Sequence, residues 1–158
     1  DAVATAIYVG TANEVPSIES LALLADECHR YGLPLLAVTA VGKDLREKGF
    51  DARYLSLAVR VAAEMGADII KTYYCAEGFE RVVEAAAGTP IVIAGGPQME
   101  SDLLVLQTAH SAMAAGAAGV DMGRNVWQNG NPVGMARALR AIVHEGASAE
   151  DAASILRK

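Results

Sequence analysis

Cysteine is scarce. Cys28 and Cys75 are the only two in 158 residues, and they stand too far apart in sequence to frame a disulfide-stapled fold or a structural zinc site. Reduced thiols and a cytoplasmic setting are the expectation, with no metal. Aromatic residues make up only 5% of the chain, with a single Trp, so smaller side chains must fill the interior. No apolar stretch reaches the roughly 18 residues that a membrane-crossing helix needs, and no charged, apolar, small-residue leader opens the sequence. A soluble protein without a membrane partner is expected. Basic residues are outnumbered: 13 Lys+Arg against 19 Asp+Glu leave a net charge of -6. That balance argues against nucleic acid or an anionic membrane as partner, and leaves room for a small anion at one local site.

What is abundant is small and apolar. The chain holds 31 alanines and 15 glycines, and 53% of it is hydrophobic, which suits a close-packed globular core. Five short apolar runs without polar alternation (4–9, 35–39, 69–71, 91–94 and 119–122) read as strands buried on both faces of a parallel sheet. Helices alternate with them. One, from Pro16 to Tyr31, carries an Ile18, Leu21, Ala22, Ala25, Cys28 stripe and ends at Gly32, a left-handed cap position. The next opens on Asp51, carries Tyr54, Leu57, Ala58, Val61, Ala62 and Met65, and ends at Gly66. Later helices are seeded by Phe79, Val82, Val83 and Ala86, by Leu103, Leu106, His110 and Met113, and by Leu139, Ile142 and Val143 after an Asn131-Pro132 start. Ser148 and Asp151 form a capping box for a terminal helix. About five βα units with no linker or low-complexity segment give an α/β class and one domain. Length alone favours a small flavodoxin-like sheet, because a closed (β/α)8 barrel takes about 250 residues.

Lys71 follows Asp68-Ile69-Ile70 at the carboxyl end of a very apolar strand, where α/β folds place their sites. Loss of hydration there favours the uncharged amine, which attacks a ketone to form a Schiff base that serves as an electron sink for carbon–carbon cleavage. The plain alternative is a lysine whose stem carries its charge out to water. Gly95-Gly96 after one strand, and Gly123-Arg124 after the next, offer backbone amides and a guanidinium fork to a phosphate. Each glycine pair alone is also explained by a tight turn. Lys43, in the loop after 35–39, is a second cation that would favour the uncharged amine or hold an anion; as a plain loop lysine it would be solvated. Tyr73 offers a phenol for proton transfer, or an aromatic for packing. His29, His110 and His144 fall on helices without metal-ligand spacing, and Cys75 has no nearby histidine to activate it. Trp127 is expected to pack the segment after Gly123-Arg124.

Taken together, Ala63-Glu64-Met65-Gly66-Ala67-Asp68-Ile69-Ile70-Lys71-Thr72-Tyr73-Tyr74, Pro90-Ile91-Val92-Ile93-Ala94-Gly95-Gly96 and Gly119-Val120-Asp121-Met122-Gly123-Arg124-Asn125-Val126-Trp127-Gln128 resemble, in order and spacing, the archaeal-type class I aldolase family. The similarity covers nearly all of the chain. It implies a (β/α)8 TIM barrel of which residues 1–158 supply about the last five βα units, strands four to eight, as the C-terminal portion of a single domain. It further implies that Lys71 is the Schiff-base lysine and that Gly95, Gly96, Gly123 and Arg124 hold the phosphate of a phosphorylated ketone, with Lys43 and Tyr73 at the rim. No bound cofactor is implied. In a thiolase branch of the family, coenzyme A is a co-substrate that takes an acetyl group and leaves dihydroxyacetone phosphate. In the fructose-bisphosphate aldolases the same three-carbon phosphate forms by retro-aldol cleavage. Those aldolases carry a tyrosine acid/base at the end of strand five, where this chain has Thr39-Ala40-Val41, a departure that favours the thiolase. The family's strand-one aspartate has no counterpart here, as expected of a piece that supplies strands four to eight. The family's habit of forming decamers implies a homo-oligomer. A non-catalytic phosphate-binding module is the alternative from a different class.

Overall fold

The computed structural model describes residues 2–40 and 50–156. The chain falls into two compact units, Asp1–Val92 and Ile93–Lys158. In the first, β1 (Val3–Ile7), α1 (Glu14–Tyr31), β2 (Leu35–Thr39), α2 (Ala52–Glu64), β3 (Ile69–Tyr73) and α3 (Phe79–Ala85) alternate, and β4 (Ile91–Ala94) begins at its end. β1 pairs with β2 and β2 with β3, both parallel, and the Ile70 N–H donates to the Pro90 carbonyl at 2.9 Å where β4 starts. The strands thus lie side by side in chain order. A flavodoxin-like sheet would put β1 between β2 and β3, so the expectation drawn from length does not hold.

Two ties fix the β2–β3 register. At the amino end the Asp68 carboxylate accepts the Leu35 N–H at 2.8 Å, and the Asp68 N–H donates to the Leu35 carbonyl at 2.9 Å. Near the carboxyl end the buried Thr39 hydroxyl donates to the buried Thr72 hydroxyl at 2.8 Å. Between them Val38 stands opposite Lys71.

Helix ends follow the sequence signals. Gly32 adopts the left-handed conformation and closes α1, and the Asp51 side chain accepts the N–H groups of Arg53 and Tyr54 to open α2. The α2 stripe is shifted: Leu55, Ala58, Val59 and Ala62 are buried, while Leu57 is 55% exposed. Both stripes have helical period and share Ala58 and Ala62, so periodicity alone does not fix the phase; packing against the sheet does. The α4 stripe shifts for the same reason, to Val105, Leu106, Ala109 and Ala112. The large side chains buried in the first unit include Ile7, Leu21, Leu35, Leu55, Ile70 and Phe79.

The second unit holds the end of β4, α4 (Asp102–Ala114), β5 (Gly119–Asp121), the four-residue α5 (Arg124–Trp127), α6 (Pro132–Glu145) and α7 (Ala149–Leu156). Its core packs Val105, Leu106 and Ala109 of α4 with Met135, Ala138, Leu139 and Ile142 of α6, and Ala149, Ala152 and Leu156 of α7. Alanine at so many of these positions lets the helices approach closely. The Ser148–Asp151 capping box is formed. No helix among the described residues is long and apolar enough to cross a membrane.

Asn131 ties α6 to α7: its Oδ1 accepts the Gly134 N–H and its Nδ2 donates to the Leu156 carbonyl, both at 3.0 Å. A Cβ on Gly134 would lie 2.4 Å from Asn131 Nδ2. Glycine to alanine inside a helix ordinarily gains about 1 kcal/mol. Here the change must displace the cap and its tie, each worth about 1 kcal/mol, so Gly134→Ala is expected to lower stability by about 1 kcal/mol net in urea unfolding. Gly130→Ala, whose methyl would meet nothing within 4 Å, is the neutral control.

Candidate functional site

In the first unit, Lys71 is the third of five residues in β3. The sequence placed it at the strand's end; β3 runs on to Tyr73, past the last residue paired with β2, and Thr72 finds a buried side-chain partner in Thr39. Side chains alternate along the strand. Ile70 and Thr72 are buried, while Ile69, Lys71 and Tyr73 share the half-covered face. Val38 and Leu36, which pair with Lys71 and Ile69, have the same intermediate exposure on β2. Lys71 is thus set among aliphatic neighbours on the half-covered face.

Both tyrosines after Lys71 stack: Tyr73 against Phe50 with ring centroids 5.8 Å apart, and Tyr74 against Phe79 at 5.1 Å. Tyr73 keeps its place on the face of Lys71, whereas Tyr74 is a packing aromatic. Tyr54, on α2, donates its hydroxyl to the Val9 carbonyl at 2.7 Å. Burial, and then the charge of Glu14, push its phenol up, so it acts as a neutral anchor for the loop after β1. Burial likewise pushes the Cys75 thiol up, assisted by Glu80 and Asp51 and opposed by a backbone hydrogen bond. A buried, protonated thiol is a poor nucleophile, in keeping with leaving Cys75 out of the chemistry. Lys43 lies outside the described residues.

In the second unit the loops after β4 and β5 meet. Gly95 is buried, and Gly96 takes the left-handed conformation at φ 64°. Gly123 caps α5, and Arg124 is its exposed first residue. Trp127 leans over Gly123, to whose added Cβ its Nε1 would lie at 3.4 Å; it is otherwise 63% exposed, so it packs less than the sequence suggested. The residue that joins the two loops is Asn125, 3% exposed. Its Nδ2 donates to the carbonyls of Gly95 (2.8 Å) and Pro97 (3.1 Å), and its Oδ1 accepts the Met99 N–H (2.8 Å). A Cβ on Gly95 would lie 3.0 Å from Asn125 Nδ2 and from Met122. A side chain at 95 would therefore press on Asn125 and Met122, so space as well as the turn favours glycine there.

Sequence reasoning quoted Asn125 only as part of a motif, and missed the Thr39–Thr72 pair altogether. An asparagine beside glycine and arginine reads as a loop residue, and only its burial marks it as a clamp. A cavity of about 580 Å³ flanks the loops, lined in part by Gln98, Ser101, Asp102, Gln128 and Asn129. Its one carboxylate, Asp102, is engaged by Asn129 Nδ2 at 2.6 Å, so it is a poor anion site next to the glycine loops. Among the described residues, no three His, Cys, Asp or Glu side chains converge as a metal site requires.

The profile of a family described as DeoC/LacD family aldolase matches residues 1–129. The 3-hydroxy-5-phosphonooxypentane-2,4-dione thiolase of Yersinia enterocolitica is 49% identical over 152 residues, which are 96% of this chain and 50% of that protein. Its namesake in Yersinia pestis is 50% identical over 149 residues, 94% of this chain and 49% of that one. The chain thus spans about half the length of the curated relatives it matches. Among solved structures, an archaeal fructose 1,6-bisphosphate aldolase superposes with a TM-score of 0.84 at 32% identity, over 92% of this chain and 58% of that one. A second archaeal structure, described as having the catalytic Lys covalently bound to the carbinolamine intermediate of the substrate, gives a TM-score of 0.82 at 32% identity over 90% of this chain and 57% of that one.

The hydroxyl pair beside Lys71 has a measurable signature. Thr39→Val orphans the buried Thr72 hydroxyl and is expected to cost about 1–3 kcal/mol in urea unfolding. Adding Thr72→Val removes the orphan, so the double variant should recover most of that loss; additive losses would show that the pair is not the tie.

Proposed function

Because the chain belongs to the DeoC/LacD family of aldolases, we propose that it carries the Schiff-base lysine and the phosphate cradle of an enzyme that cleaves a carbon–carbon bond in a phosphorylated ketone. In this reading Lys71 is the nucleophile, and Gly95, Gly96, Gly123 and Arg124 hold the phosphate, with Tyr73 at the rim. The observation that carries it is the position of Lys71, half-buried among aliphatic side chains on a strand pinned at both ends, in a chain similar to one whose catalytic Lys bonds covalently to substrate.

The substrate that the similarity to the Yersinia thiolases favours is 3-hydroxy-5-phosphonooxypentane-2,4-dione, with coenzyme A as co-substrate and no bound cofactor. The Lys71 amine condenses with C4, the ketone next to the phosphorylated carbon, and releases water. The thiolate of coenzyme A adds to C2. As the C2–C3 bond breaks, its electron pair flows into the C4 iminium to give an enamine, and acetyl-coenzyme A departs. Protonation at C3 and hydrolysis return the lysine and dihydroxyacetone phosphate. The chain supplies the electron sink; an acid/base group is also needed, and Tyr73 is the phenol on the right face to offer one.

Fructose-bisphosphate cleavage is the second reading, favoured by the likeness to the archaeal aldolases. Against it stands the end of β2, where Thr39 is buried in its pair with Thr72 and offers no phenol.

Turnover of the phosphorylated diketone, followed as acetyl-coenzyme A and dihydroxyacetone phosphate, tests the proposal. The expected result is strict dependence on coenzyme A and complete loss in Lys71→Met, with phosphate binding retained. Release of the triose phosphate without coenzyme A would favour the aldolase, and full turnover by Lys71→Met would overturn both readings.

A further inference from the structure

Asn125 does more than fill space between two loops. All three of its hydrogen bonds go to the backbone of one turn, 95–99, and both hydrogens of its amide are committed to carbonyls, those of Gly95 and Pro97. In a trans peptide the carbonyl and the following N–H point in opposite directions, and there is no cis peptide among the described residues. Turning the Gly95 carbonyl toward Asn125 therefore turns the Gly96 N–H away from it. Turning the Pro97 carbonyl inward likewise turns the Gln98 N–H outward. Pro97 has no N–H to compete, and the Met99 N–H is already taken by Asn125. Neither residue is buried, Gly96 being half-covered and Gln98 exposed.

We infer that Asn125 is a positioning residue which, through the carbonyls of Gly95 and Pro97, fixes the peptide planes of this turn and so holds the Gly96 N–H, with the Gln98 N–H beside it, turned outward for the substrate phosphate. This rests on the reading that the loop after β4 holds that phosphate, and adds Gln98, by its backbone, to the cradle. The commitment of both amide hydrogens is the reason an asparagine is needed. An aspartate of the same shape accepts from Met99 but repels the two carbonyls, leaving the amides unaligned. Two pre-aimed donors act on a charged group at no cost of reorganisation when it binds. Arg124, one residue before Asn125, is carried on the same short helix, so the guanidinium and the turn share one anchor.

The test uses Asn125→Asp and Asn125→Ala with two readouts. The first is binding of inorganic phosphate, followed by phosphorus NMR. The second is the concentration of dihydroxyacetone phosphate, and of unphosphorylated dihydroxyacetone, that half-saturates borohydride trapping on Lys71. The expected result is phosphate binding weakened about 10- to 100-fold, the scale of one or two hydrogen bonds to a charged group. Half-saturation by the phosphorylated ketone should rise by the same factor while that of the unphosphorylated ketone stays put. The ratio of the two ketones is read on the same folded molecules, so a loss of stability does not move it. Unchanged phosphate binding in both variants, or an equal rise for both ketones, would overturn the inference. No trapping on Lys71 in the parent protein, with phosphate binding still sensitive to Asn125, would instead overturn the Schiff-base reading and leave the positioning role standing.

Discussion

The register of β3 against β2 is the constraint on which the chemistry depends. A parallel strand slipped by one residue turns every side chain to the opposite face. For β3 that would bury Lys71 and Tyr73 and bring Ile70 and Thr72 out. Burying the Lys71 amine would itself oppose such a slip, but Ile69 and Ile70 are alike on the two faces, so the apolar pattern adds little. The register is held instead by polar groups at its ends, Asp68 against the Leu35 backbone and Thr39 against Thr72. These four residues touch no proposed reacting atom, yet they determine which face the amine is on.

The second unit uses the same economy of means. Backbone amides in a glycine turn are soft, since glycine restricts the chain little, and the proposed phosphate cradle would lose affinity to ordering if it were soft. Asn125 stiffens the turn from below, and the missing Cβ of Gly95 makes the approach possible. Small residues serve packing elsewhere too: Ala109, Ala138 and Ala152 let α4, α6 and α7 close around one core. The abundance of alanine and glycine in the sequence is thus an account of spacing, between helices and within the loop after β4.

Much of the fold was legible because it is local. Gly32, Asp51 and the Ser148–Asp151 pair mark helix ends by chemistry within one turn, and each does so in the structure. The strands were visible as apolar runs, but the length of β3 was not, because Thr72 is held by Thr39 and Tyr73 packs on Phe50, both distant in sequence. Helix phase failed in α2 and α4 where two apolar stripes competed, as with Leu57 against Leu55, and only the sheet decides between them. Of the candidate site, the strand that carries Lys71 and the glycine turns after β4 and β5 were legible from residue type and spacing, though Lys71 lies within its strand and not at the end. Asn125, Thr39 and Thr72 were not, because a buried hydrogen bond between distant segments leaves no spacing to read.

The central claim is that the Lys71 side-chain nitrogen forms the covalent bond to the substrate carbonyl. It is tested most directly by NMR on protein labelled with nitrogen-15 at lysine, mixed with dihydroxyacetone phosphate carrying carbon-13 at its carbonyl. The account predicts a carbon resonance of imine or carbinolamine type, coupled to a single lysine nitrogen and absent in Lys71→Met. A labelled carbon that stays a free ketone or its hydrate, or that couples to a lysine still present in Lys71→Met, would contradict it.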